Sequence, residues 1–495
     1  MAGRLEFNFS SPSAASQARA RGQDEAQPMR ILLLGNFSGR RGVAAAADLA
    51  TRPTHRVDTD TLPDLLRRLA PRVPVGATAF EAQDIDDFHP DSLYARVPVF
   101  ASLRELRRRL QDPAQFAQAA AELGMNPAKP DVKAGTAPAD TAGDLLAGLL
   151  GGRPGAAAAY RETPAAAQAA PAGIGAFIRQ IVAPHVVPDH GAQQAALLAS
   201  VDLAIAEQMR QLLHAPEFQA IESAWRGLHL LLSQLELDEQ LQLHLLDVSR
   251  EEVIADLVSA QGDVPRTGLF RTLVERHLGA PDAQAWSLFV GLISFGPSDT
   301  DIGLLAALGV LASKASAPFL AAADMELALA EPAALTGWQR LRRSAELAPW
   351  IGLSAPRLLL RAPYGRRSDP ITAFAFEELP AGVPEHELLL WGPSSLVTAL
   401  LIARAFRQQG WNFEPGDECE LGELPSFTYE RDGEKELQAC AETYLSERAA
   451  QVILDAGLMP LLSHRNRHAV TVMRFQSISE PAGGLAGLDS DSTPV

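Results

Sequence analysis

HAPEFQAIESAWRGLHLLL, His214–Leu232, is the stretch whose reading decides the fold. Pro216 suits a first helical position, where its missing N–H has no partner to lose and its fixed φ already fits. Behind it Phe218, Ile221, Trp225, Leu228 and Leu232 recur at steps of three and four, which places them on one helical face. The preceding segment, Leu197–Leu213, repeats the pattern through Leu198, Val201, Ile205, Met209 and Leu212. The pair reads as a helical hairpin of the core, and periodicity alone says nothing of its function.

Downstream of the hairpin the period changes. Leu241–Val248 alternates as a strand, and Ser249 with Glu252 forms a capping box for a helix through Leu257. Trp286–Ser294 reads as a buried strand, Gly296–Asp301 as a loop, Ile302–Lys314 as a helix and Pro318–Ala322 as a further strand. Asp299 and Asp301 read as caps of that helix. Strand, helix and strand with apolar strands indicate an α/β fold, a parallel or mixed sheet covered by helices. Trp391–Phe406 reads as an apolar helix and Ala469–Phe475 as a last strand.

Upstream, Met29–Leu34 is a continuous apolar run that reads as a buried strand leading into the turn GNFSGR, Gly35–Arg40. A short helix over Leu62–Leu69, a strand over Phe80–Gln83 and two helices over Asp86–Phe116 follow, Pro98 opening the second helix. Arg4–Phe9 alternates, with Leu5, Phe7 and Phe9 on one face, and a polar linker follows to Pro28. A tethered strand of this kind suits addition to the edge of another sheet, and equally suits a frayed terminus. Residues 124–172 are an Ala-, Pro- and Gly-rich linker carrying GDLLAGLLGGR, Gly143–Arg153, in which Leu145, Leu146, Leu149 and Leu150 make one apolar stripe on a short helix. The organisation expected is an arm (1–28), a first region (29–123), the linker, a second region (173–480) and a disordered tail (481–495).

The 495 residues are 47% hydrophobic and 21% charged, an ordinary globular balance. A net charge of −17 argues against a general nucleic-acid binder or a partner of anionic lipid. Two cysteines, Cys419 and Cys440, exclude a disulfide framework or a cysteine-rich zinc site. The N-terminus has no signal-peptide pattern, and no run of about 18 apolar residues offers a membrane span, so cytoplasm is the expected compartment.

A search for chemistry finds no constellation. GNFSGR lacks the glycine spacing and Lys-Ser/Thr of a phosphate loop. GLISFG, Gly291–Gly296, has the wrong spacing for a nucleophile elbow around Ser294. His464 and His468 lack the Glu of a zinc helix, and Asp299 with Asp301 lack the pattern of a Ca²⁺ loop. No catalytic residue, cofactor or metal is expected. Arg357, Arg361, Arg366 and Arg367 flank a PYG turn as a basic cluster, read as an anion site or, preferably, as an interface meeting an acidic surface on a neighbouring subunit.

The wording of several segments carries a resemblance. HAPEFQAIESAWRGLHLLL, LQLHLLDVS (Leu241–Ser249), FGPSDTDIGLLAALGVLASKASAPFLAAA (Phe295–Ala323), LSAPRLLLRAPYG (Leu353–Gly365), FAFEE (Phe374–Glu378) and WGPSSL (Trp391–Leu396) resemble, in order, the large subunit of the type VI secretion contractile sheath, the TssC (VipB) family, over about residues 140–480. RILLLGNFSGR with DDFHPDSL (Asp86–Leu93) and a helix rich in Leu and Arg resembles the small subunit, TssB (VipA). The resemblance implies both sheath subunits on one chain and a structural, non-enzymatic role. Copies of the chain would assemble around an Hcp tube, held by inter-subunit strands, with baseplate components and the ClpV ATPase as further partners. The 143–153 segment is similar to the short helix that ClpV grips in the family; a plain docking helix is the other reading. Large sheath subunits continue past the point where this chain stops, with strands that pair with a neighbour's arm. Ala469–Phe475 replaces them, or the protein is a non-polymerising accessory, cap or baseplate adaptor. An enzyme on a Rossmann-like sheet is the third reading.

Overall fold

The computed structural model describes residues 27–40, 49–75, 78–123, 190–276, 284–330, 335–379 and 384–488, with the side chains of the helix His190–Leu213 described from Gln194 onward. Leu5, Phe7, Phe9 and the stripe Leu145, Leu146, Leu149 and Leu150 lie outside the described residues. The chain divides into two compact units that do not follow sequence order. The larger comprises residues 1–71, 220–362 and 381–495, and the smaller 72–219 and 363–380.

The larger unit is built on a nine-stranded sheet. In chain order its strands are β1 (Met29–Gly35), β2 (His55–Val57), β3 (Leu241–Asp247), β4 (Leu288–Phe295), β5 (Phe319–Ala323), β6 (Ile351–Ala355), β7 (Glu420–Leu421), β8 (Met459–Ser463) and β9 (Val470–Val472). Their spatial order is β2-β3-β1-β4-β5-β6-β8-β9-β7. The six strands from β3 to β8 run parallel, and β2, β9 and β7 are antiparallel to their neighbours. Every residue of β1, β3, β5 and β6 is buried, as a sheet covered on both faces requires.

The N-terminal strand is interior. β1 pairs along its whole length with β3, Met29 opposite Leu241 through Gly35 opposite Asp247, and on its other side Ile31–Leu34 pair with Leu288–Gly291. One hydrophobic cluster contains Leu32, Leu34 and Leu49 together with Leu246, Phe289, Leu305, Leu353 and Ile478. The early and late parts of the sequence therefore share one interior.

The helix Pro216–Gln234 begins where Pro216 predicts, and Phe218, Ile221, Trp225, Leu228 and Leu232 are all buried. Gly227 is required there: a Cβ would lie 2.7 Å from Leu396 Cδ1. The Ser249–Glu252 capping box forms as read, opening the helix Arg250–Ser259. Three expectations are corrected. The helix Asp299–Ala315 is capped by Ser298, whose hydroxyl accepts the Asp301 N–H, so neither aspartate is the cap. WGP does not open a helix: Trp391–Gly392 pairs antiparallel with Leu358–Leu359, and the helix Ser395–Gln409 starts only after Pro393, whose ring disfavours helical geometry in the residue before it. The strand expected at Phe80–Gln83 is Thr78–Glu81, one arm of a hairpin.

The smaller unit contains the hairpin Arg72–Val75/Thr78–Glu81 and the helices Pro90–Arg96, Ala101–Gln111, Phe116–Glu122 and His190–Leu213. The Asp86–Phe116 segment is more broken than the two helices expected, because Pro90 and Pro98 each restart the chain, the latter in a 3-10 turn before Ala101. Leu103, Leu106 and Leu110 are buried, and Arg107 pairs with Asp202 of the long helix at 2.6 Å.

Replacing Leu32 by Ala removes fully buried methyl groups from the joint cluster and is expected to cost about 2–5 kcal/mol. Denaturant titration followed by tryptophan fluorescence reads this as a lowered midpoint; an unchanged midpoint contradicts the burial of β1.

Candidate functional site

In an open parallel sheet, ligands bind outside the carboxyl ends of the strands where the winding reverses. Here that point lies at β1, with β3 on one side and β4 on the other. The GNFSGR turn leaves β1 there, and Gly39 takes a φ of +70°, which favours glycine. Asn36 closes the turn, its amide donating to Arg40 O and its oxygen accepting Arg40 N–H, both at 3.0 Å.

The amides of the turn face a carboxylate of the same chain. Phe37 N–H and Ser38 N–H donate to Asp247 Oδ1 at 2.8 and 3.1 Å, and Arg40 pairs with Asp247 Oδ2 at 2.6 Å. Where a phosphate loop offers its N–H groups to a nucleotide, this turn offers them to the last residue of β3. The carbonyl of Phe37 accepts the Trp225 indole N–H at 2.8 Å, and the two rings meet edge to face. Leu292 leaves little room beside Gly35, lying 3.0 Å from where a Cβ would sit. Asp247, Trp225, Phe37 and Leu292 pack against the turn at this strand end.

Beside it lies a buried ion pair. Arg52 binds Glu252 through two parallel bonds of 2.8 Å, and a third reaches the Asp247 carbonyl at 2.9 Å. Both side chains are buried, 6% and 1% exposed. Burial pushes the Glu252 carboxyl up, but the Arg52 bonds, the Ser249 amide and the charges of Arg52 and Arg40 outweigh it and hold the group below the usual carboxylate range. Thus Phe37, Ser38, Arg40 and Arg52 grip β3 and the helix after it through two carboxylates.

The arginines of the PYG region are placed differently from one another. Arg361 is buried and donates to Glu222 Oε1 at 2.8 Å; Glu222, fully buried within the helix Pro216–Gln234, also binds Arg226 one turn on. Arg357 binds Glu442 at 2.6 Å, with His386 between them at 3.1 Å from the arginine and 2.6 Å from the glutamate. Arg357 and Arg361 are thus taken by carboxylates of their own unit. Glu222 was missed by periodicity, which sees only the apolar positions; the signal was an acid on the buried side with Arg four residues later.

Arg366 and Arg367 are exposed, on a strap of the smaller unit whose shape is set by acids of the FAFEE motif. Glu378 accepts Tyr364 N–H at 2.7 Å while its own N–H donates to Tyr364 O at 2.8 Å, and His214 lies 3.4 Å from its carboxylate. Asp91 accepts Thr372 N–H, Thr372 O–H and Ala373 N–H, each at 2.9 Å. Burial raises the Asp91 carboxyl, but these bonds win and lower it. Phe374 and Phe376 are buried, and Phe374 sits 5.0 Å from the Tyr94 ring.

The remaining candidates are dispersed. Ser294 offers its carbonyl to Arg250. His464 meets Thr471 at 2.7 Å, whereas His468 meets Ser426. Asp301 accepts Gly296 N–H at 3.1 Å and pairs with Arg250. Cys440 is buried, its thiol pushed up to about 11 by desolvation. Among the described residues no group of three or more His, Cys, Asp or Glu is placed to hold a metal ion, and no helix is long and apolar enough to cross a membrane.

Arg52→Ala leaves the buried Glu252 carboxylate without its two guanidinium bonds and is expected to cost about 3–5 kcal/mol, while the apolar pair Arg52→Met/Glu252→Leu recovers most of it. Thermal melts of the three chains check this. Because the folded Glu252 carboxyl is depressed, its contribution is present above the unfolded carboxylate pKa and lost as pH falls through the folded one. The stability gap between the unaltered chain and Glu252→Gln is therefore expected to close on acidification; a gap independent of pH contradicts the assignment.

Comparison with known proteins agrees with this architecture. Residues 195–479 match the VipB (EvpB) tail sheath N-terminal domain family, and residues 18–124 match the VipA family of type VI secretion. The type VI secretion system sheath protein TssC1 of Pseudomonas aeruginosa is 31% identical over 309 residues, which span 58% of this chain and 61% of that protein. β1, Asn36, Arg40 and Arg52 fall in the VipA match, and β3, β4, Asp247 and Glu252 in the VipB match. The chain belongs to the VipB (EvpB) tail sheath family of type VI secretion and carries a VipA-family segment ahead of its sheath domain on the same polypeptide.

Proposed function

We propose that this protein is a structural subunit of a type VI secretion sheath, a fused TssB–TssC-like building block that assembles in the cytoplasm with copies of itself around an Hcp tube. The observation that carries the reading is the position of β1: a strand from the VipA-like segment lies between two strands of the VipB-like segment. Fusion makes that pairing intramolecular and fixes the two parts at one to one. The turn at the strand ends, packed against Asp247 and Trp225, favours a mechanical over a chemical role. On this reading the arm with Leu5, Phe7 and Phe9 adds to a sheet edge of a neighbouring copy. The 143–153 segment is the place for ClpV or for docking. The exposed arginines Arg366 and Arg367 face another subunit, and baseplate components are further partners.

Electron microscopy of the purified full chain, alone and with Hcp, tests the reading. Regular tubes or helical filaments are expected. Monomers or single rings under both conditions contradict it and point to a cap or adaptor. Deleting residues 1–10 is expected to abolish higher assembly and leave the circular dichroism melt unchanged; assembly that survives the deletion refutes strand donation.

A further inference from the structure

Among the described residues, two surfaces of opposite charge are left largely without counter-ions. The first is the strap tip. Gly365 N–H donates to Asp369 O at 2.8 Å, and Arg366 N–H to Glu377 Oε1 at 3.3 Å. Residues 366–370 are all exposed, and among the described residues neither the Arg366 nor the Arg367 guanidinium takes an ion pair. The clamped backbone holds both cations outward. The second surface is the stretch Glu414–Glu423, which includes the edge strand β7. It carries five acids, Glu414, Asp417, Glu418, Glu420 and Glu423, and no basic residue. Glu414, Asp417 and Glu423 are exposed. Asp417 accepts Glu414 N–H at 2.7 Å and Gln409 at 2.9 Å, and Glu418 accepts Gln408, all uncharged donors. Among the described residues only Glu420 is met by a guanidinium, that of Arg467.

We propose that the Arg366–Arg367 tip of one copy docks on the acidic edge Glu414–Glu423 of the next copy. A chain of net charge −17 repels its own copies, and a pair of exposed cations set against an acidic surface offsets that repulsion at the joint. Arginine suits the task because its planar fork binds carboxylates at two points and is favoured at interfaces. Two different patches, one on each partner, permit a head-to-tail contact, provided that tip and edge of one copy do not meet edge and tip of the same neighbour. A head-to-tail contact whose rotation does not close propagates as a helical lattice requires. The inference rests on the sheath-subunit reading and adds which faces meet. A purely protective role for the edge, blocking strand pairing by charge, is the competing outcome.

Charge reversal tests it on the full chain. Light scattering and sedimentation follow self-association of the unaltered protein, the tip variant Arg366→Glu/Arg367→Glu, the edge variant Glu414→Lys/Glu423→Lys, and the chain carrying all four changes. Each reversal alone is expected to weaken association at least about tenfold, and the combined chain to regain most of it, since the signs again match. Association of the unaltered chain is also expected to weaken as salt rises from about 50 to about 500 mM. Circular dichroism melts screen the fold; where a reversed chain unfolds, Arg366→Gln/Arg367→Gln is read in its place, and association equal to that of the unaltered chain overturns the proposal. Single reversals without effect, or a combined chain no better than the single ones, overturn it while the sheath reading stands if tubes still form. An unaltered chain that fails to associate at any ionic strength overturns both.

Discussion

The structure depends on β1 being paired on both edges. A strand buried in a sheet must give every N–H and C=O a partner, and Met29–Gly35 finds them in β3 on one side and β4 on the other. The sheet order β3-β1-β4-β5-β6 makes β1 the strand at which the winding reverses. Removing it would leave two unpaired apolar edges in the middle of the core, with Leu32 and Leu34 taken out of the cluster they share with Phe289 and Leu353. β1 of the VipA-like segment and the strands of the VipB-like segment are therefore parts of one sheet.

The polar groups around β1 decide which elements meet. A buried ion pair adds little over an apolar pair of the same shape, but it heavily penalises any arrangement that leaves one partner alone. Asp247 needs the amides of Phe37 and Ser38, and Glu252 needs Arg52. Each joins the early segment to the strand end or helix start of the late one. Glu222 with Arg361 does the same between the helix Pro216–Gln234 and the segment after β6, and Glu378 with Tyr364 closes the strap. The charges that resemble catalytic groups when met singly in the sequence are spent on holding the backbone in place.

Much of this was legible in the residues. Apolar runs give β1, β4 and β5, alternation over Leu241–Val248 gives β3, the capping box at Ser249 and Glu252 gives a helix start, and the steps of three and four from Phe218 to Leu232 give a buried helix face. Long-range partnership was not legible. Nothing local in Met29–Leu34 says that it lies beside a strand more than two hundred residues away. Arg357 and Arg361 read as a surface cluster because their partners, Glu442 and Glu222, are remote in sequence. The apolar character of Leu396–Phe406 drew the helix back to Trp391, where Pro393 and the pairing with Leu358–Leu359 forbid it.

Hydrogen–deuterium exchange of the full chain tests the central claim most directly. If β1 is an interior strand of a joint sheet, the amides of Ile31–Leu34 exchange in the slowest class, together with those of β3 and β4. Exchange of β1 ahead of β3 and β4 would contradict a shared interior.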